Sequence, residues 1–119
     1  APEDVAAAAQ AALLTAGASA ARASRLAASL AADEVAQQAV GNDRPPYEVG
    51  KRALAAAEAV GVSKQAAITW ASAAAASAVA RSAAEDGTAP ADVSRRTLEA
   101  AQYAGSSKHA AAHMVAKLA

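Results

Sequence analysis

The sequence predicts an all-α fold made of tandem helical hairpins, and three observations carry that reading. A Gly-x-Ser hinge occurs three times, as Gly17-Ala18-Ser19, Gly61-Val62-Ser63 and Gly105-Ser106-Ser107, about 44 residues apart each time. Pro2, Pro46 and Pro90 fall at the same spacing. Alanine fills the runs between them, and β-branched residues never alternate over a length that would make a strand.

Each hinge couples a helix end to a helix start. Glycine just past a helix takes the left-handed conformation without a Cβ clash. Serine ahead of the next helix accepts from backbone N–H groups that lack an intrahelical partner. One intervening residue forces a sharp turn, so the two helices become neighbours. The prolines suit a first helical turn, where a missing N–H costs nothing. Asp4, Glu48 and Asp92 follow two residues later, close to the positive end of the helix dipole. Val5, Val49 and Val93 come next. Lys51-Arg52 matches Arg95-Arg96, Leu54 matches Leu98, and Ser63-Lys64 matches Ser107-Lys108. Leu26, Trp70 and Met114 share one repeat position, where bulk is kept and identity changes, which reads as packing. The expectation is a tandem repeat of about 44 residues, two full units (1–43 and 44–87) and a truncated third (88–119) within a single domain. The units would stack as a short solenoid or fold back as a bundle.

The elements follow in order. Residues 2–16 form a first helix with Val5, Ala9, Ala12, Leu13 and Ala16 on one face. A longer helix runs from Ser19 to about Val40, with Arg22, Arg25, Ser29, Asp33 and Gln37 outward and Leu26 and Leu30 on the other side. Gly41-Asn42-Asp43 ends it. Pro46 to Val60 is the next helix, with Val49, Ala53, Ala56 and Val60 inward and Lys51, Arg52 and Glu58 outward. Ser63 to about Ala84 is its long partner, carrying a stripe of Ile68, Ala71, Ala75 and Val79. Asp86-Gly87 makes a turn, Pro90 to Ala104 forms the fifth helix, and Ser107 to about Leu118 the last.

Composition bounds the function. The chain of 119 residues is 55% hydrophobic, but about 44 of those residues are Ala and Phe is absent. Ala is the best helix former and buries little area, so each helix contact stabilises weakly at roughly 25 cal/mol per Å². A core this thin implies that further surface is covered by a partner protein or by another copy. The absence of Cys excludes disulfides and thiolate metal sites. Formal net charge is zero, unevenly spread: residues 1–43 carry two basic and five acidic groups, and residues 88–119 four and two. Nucleic-acid binding would want a larger basic surplus, so no nucleic-acid partner is expected. Uncharged runs such as Gln65 to Ala80 are too short to span a membrane. The opening Ala1-Pro2-Glu3 lacks Met and fits removal of a targeting peptide, with an exported or organelle-lumenal location, as well as it fits an arbitrary boundary.

Few residues carry chemistry. His109 and His113 stand at i, i+4, a spacing that can chelate Zn, Cu or Ni, though no acid or Cys is nearby to complete a site. The matching positions in the other units are Ala21/Arg25 and Gln65/Thr69, which argues for plain polar residues on a terminal helix. Trp70, Tyr47 and Tyr103 are the aromatic residues and the candidate interaction anchors. No Gly-rich phosphate loop, zincin-type motif or nucleophile elbow is present, so no catalytic residue is assigned and no cofactor is expected. The function these features favour is a non-catalytic structural or protein-interaction module, a subunit of a larger assembly or a homo-oligomer. The alternative is a carrier that holds a small hydrophobic ligand, pigment or metal between its helices near Trp70 or the His pair.

Overall fold

The punctuation read from the sequence becomes helix boundaries. The computed structural model describes residues 2–15 and 20–118, and over them the protein is all-α. The helices are α1 (Pro2–Thr15), α2 (Ala20–Gly41), α3 (Pro46–Ala59), α4 (Lys64–Glu85), α5 (Pro90–Tyr103) and α6 (Lys108–Leu118). They agree with the expected spans to within about a residue at each end. No strand is found among the described residues, and no helix among them is long and apolar enough to cross a membrane.

Two of the three hinges are described, and both have the expected chemistry. Gly61 and Gly105 sit at φ +94° and +105°. The Ser63 hydroxyl accepts from the Ala66 amide at 3.2 Å, and that of Ser107 from the Ala110 amide at 3.1 Å. Each bond satisfies one donor left over at a helix start. The hinge Gly17-Ala18-Ser19 lies outside the described residues.

Turns between hairpins close in a second way. After α4, the Gly87 amide donates to the Ala84 carbonyl and the Thr88 amide to the Ala83 carbonyl, a left-handed C-terminal cap around Gly87 at φ +71°. After α2 the same pair of bonds forms from Asp43 to Val40 and from Arg44 to Ala39, with Asp43 itself at φ +58°. Asp43 therefore does by strain what Gly87 does freely.

The core is made of methyl groups. Among the described residues every buried apolar side chain is Ala, apart from Val35, Val49 and Val79. The largest cluster joins Ala28, Ala32, Ala36 and Ala39 of α2 to Ala67, Ala71, Ala75 and Val79 of α4, with Val49, Ala53 and Ala57 of α3 closing it. Smaller clusters tie Ala6 of α1 to Ala27, Ala31 and Val35, and Ala111 of α6 to Ala76 and Ala101. Each helix packs on the next in the chain and on the next but one, and among the described residues no pair further apart in sequence packs together. The molecule measures 45 × 28 × 20 Å.

Two expected faces are corrected. On α2 the leucines were expected opposite the polar side, yet Leu26 is 38% and Leu30 47% exposed, and Ala23, Ala27, Ala28, Ala31, Ala32, Ala36 and Ala39 are buried instead. The reason is close approach: neighbouring helices touch through alanines, and a leucine at those positions would hold them apart. Among the described side chains of α1 the buried one is Ala6, whereas Val5 is 38% exposed, Ala9 is half-buried and Ala12 is exposed. Leu13 and Ala16 of that expected face lie outside what is described of the side chains. The faces of α3 and α4 match expectation: Val49, Ala53 and Ala56 are buried and Val60 half-buried, as are Ala71, Ala75 and Val79 with Ile68 half-buried.

Close approach is greatest where α3 meets α5. Gly50 lies inside α3, and a Cβ built there would overlap the Ala100 carbonyl oxygen and stand 2.9 Å from the Ala104 nitrogen. Glycine inside a helix costs about 1 kcal/mol relative to Ala. Here it lets two backbones touch.

Candidate interaction surfaces

The aromatic candidates divide. Tyr47, at the start of α3, and Tyr103, at the end of α5, come together although 56 residues apart in number. Their ring centroids are 5.7 Å apart with planes tilted by 59°, and both rings are more than 40% exposed. The Lys51 ammonium stands 5.8 Å from one centroid and 5.6 Å from the other, so one cation faces two aromatic rings. Glu99 of α5 accepts from the Tyr47 amide at 3.1 Å. That carboxylate replaces the side-chain cap α3 lacks, because Pro45 at the cap position offers none. Trp70 belongs elsewhere: it is half-buried on α4 and packed on the largest alanine cluster. Met114, at the matching position, is half-buried on the α6 cluster.

His109 and His113 are both exposed on α6. Among the described residues no group of three or more His, Cys, Asp or Glu side chains gathers as a metal site would. The chemistry available at the pair is that of two imidazoles at the surface.

Charged groups cluster at helix starts. Glu48 is held between Arg44 at 3.3 Å and Arg52 at 3.2 Å, and Asp92 pairs with Arg95 at 3.2 Å. These partly exposed pairs contribute on the order of 0–1 kcal/mol each. Asp33, on α2, is the one described group with a clear titration shift. Loss of hydration raises its carboxyl above the ordinary value of 3.8, and the positive charge of Arg81 on α4 acts in the opposite direction.

A polar chain fixes the third hinge. The Ser106 hydroxyl donates to the Ser72 hydroxyl at 2.6 Å, and Ser72 donates to the Ala101 carbonyl at 3.4 Å. The Ser106 amide reaches the same carbonyl at 3.2 Å. Ser72 is fully buried, so its hydroxyl needs these partners. Sequence reasoning missed Ser72 because a serine among alanines on α4 gives no periodic signal.

The surface has shallow clefts. One of about 220 Å³ lies where the turns after α2 and α4 gather, lined by Val40, Arg44, Pro46, Val79 and Arg96. A groove of about 390 Å³ lies beside the third hinge, lined by Gln65, Ile68, Thr69, Gly105, Ser107 and Met114. Neither includes Trp70, His109 or His113, the residues expected to frame a carrier's cavity.

Among the described residues Val5, Leu26, Leu30, Tyr47 and Tyr103 are the exposed large apolar side chains, while alanine fills the interior. No protein-family model, curated protein or solved structure matches the chain.

Proposed function

We propose that this chain is a non-catalytic interaction module, built from hairpin units of about 44 residues stacked as a short solenoid, and that it works as part of a larger assembly or homo-oligomer. The repeat reading is supported by the helix starts. Pro2, Pro46 and Pro90 open helices of 14 residues each, and Ala20, Lys64 and Lys108 open their partners. Packing limited to the next helix and the next but one is how stacked hairpins bury a core.

The observation that carries the interaction reading is the inverted distribution of apolar side chains. Burying a leucine stabilises by roughly 1.5–3 kcal/mol. Leu26 and Leu30, 38% and 47% exposed, forgo part of that gain in the isolated chain, while alanines fill the core. A partner that covers these residues recovers it. The exposed Tyr47–Tyr103 pair under Lys51 adds a second surface of the kind enriched in interfaces.

Native mass spectrometry of the protein isolated from its source, without refolding, tests this. A mass greater than one chain by whole polypeptides is the expected result. A bare chain overturns the interaction reading, and an excess of a few hundred daltons or a metal ion replaces it with a carrier.

A further inference from the structure

The face of α2 that carries Leu26 and Leu30 has a counterpart inside the molecule. Moving forward by the 44-residue spacing, Leu26 becomes Trp70 and Leu30 becomes Ala74. Ala74 is 5% exposed and belongs, with Trp70 packed beside it, to the alanine cluster that joins α4 to α2. The same shift takes Ala12, exposed on α1, to Ala56 and Ala100, both buried. The outer face of the first hairpin thus carries positions that are covered in the second and third hairpins by the unit before.

The opposite end shows the converse. Gly50 is where α3 receives the backbone of α5, and its counterpart in the third unit is Ser94, which is exposed on α5. Small residues stand ready there for a following unit. The ends also differ in charge: residues 1–43 carry a net −3 and residues 88–119 a net +2. Opposite net charge on the two hairpins favours the approach of first unit to third at long range, while at the faces themselves arginines flank both Leu26 and Ser94.

We infer that the Leu26–Leu30 face docks the third hairpin of a second copy, so that chains join head to tail and continue the stacking found within one chain. This rests on the repeat reading above and names the occupant of the exposed face. The contact is heterologous, so it adds chain upon chain unless the rotation closes a ring.

Two variants of the full chain test it by complementation. Leu30→Glu places a charge on the first face, at an exposed position where Glu suits a helix. Ser94→Arg blocks the third-unit face with a long side chain where a backbone would approach. Circular dichroism checks that both remain helical. Sedimentation velocity of the purified unaltered chain is expected to show a mean mass that rises with concentration. Each variant alone is expected to run as a monomer, and an equal mixture as a dimer, because one variant keeps a working head and the other a working tail.

An unaltered chain that stays monomeric up to about 1 mM overturns the inference. So does association of the unaltered chain with no pairing in the mixture, which points to a like-to-like contact. A monomer in this assay together with a hetero-complex from the source would sink head-to-tail docking and leave the interaction module standing.

Discussion

Gly50 and Ala100 bring the backbones of α3 and α5 into contact, with no room for a methyl group between the Gly50 Cα and the Ala100 carbonyl oxygen. The obstructing atoms are backbone, which cannot swing aside as a side chain does. Gly50→Ala gains about 1 kcal/mol of helix propensity and incurs an overpacking cost of about 1–3 kcal/mol. The expected outcome is a net loss of up to about 2 kcal/mol in urea unfolding at unchanged slope. A variant more stable than the parent would show that α5 is free to move away.

Asp43 and Gly87 occupy matching turns, and only one of them is a glycine. Asp43→Gly removes the cost of a left-handed L-residue, on the order of 1 kcal/mol, and is expected to raise the urea midpoint. Gly87→Ala introduces that cost and is expected to lower the midpoint by a similar amount. Equal midpoints for Asp43→Gly and the parent would mean that the aspartate side chain compensates fully for its backbone.

Gly61 and Gly105 both have positive φ, but their surroundings differ. Gly61 has open space where a Cβ would stand, and at Gly105 that atom would lie 2.7 Å from Cγ1 of Ile68. Gly105→Ala is therefore expected to destabilise more than Gly61→Ala. In an Ile68→Ala background the excess should vanish, giving a coupling of about 0.5–3 kcal/mol in the double-mutant cycle. Additive effects would exclude the side-chain clash as the cause.

Asp33 is expected to give the fold a pH dependence. Its carboxyl is raised by lost hydration, with Arg81 opposing, so the folded chain holds that proton more tightly than the unfolded one. Its contribution to stability is complete below the ordinary value of 3.8 and is lost as pH rises through the raised value. Asp33→Asn is expected to flatten this part of the stability–pH curve and to be more stable than the parent at neutral pH. An unchanged curve would assign the slope to other groups.

The helices were legible because glycine, proline and serine mark their ends with chemistry that does not depend on the rest of the fold. Pro46, Gly61 and Ser63 each did locally what their residue type dictates. The inward faces of α3 and α4 were also legible, since Val49 and Val79 point the way among smaller residues. On α2 that clue misled. Leu26 and Leu30 stand one and two turns from Arg22, on the same side as the exposed Asp33 and Gln37, so the helical spacing itself placed them outward, whereas their bulk pointed inward. Gly50 was missed too, although a glycine inside a strong helix former is itself a sign of close backbone approach. The pairing of Tyr47 with Tyr103 depends on how α3 packs on α5, which no local pattern encodes.

An interior of methyl groups reverses the usual hazard of substitution. Most proteins are damaged when a large buried side chain is cut down, because a void remains. Here truncation has almost nothing to remove, and enlargement is what the interior cannot absorb. In a saturation scan Ala71, Ala75, Ala100 and Ala104, all fully buried, should accept glycine or serine better than leucine or valine. Drift at such positions runs along a corridor one methyl wide, and new bulk enters the family of tolerated sequences only from the outside.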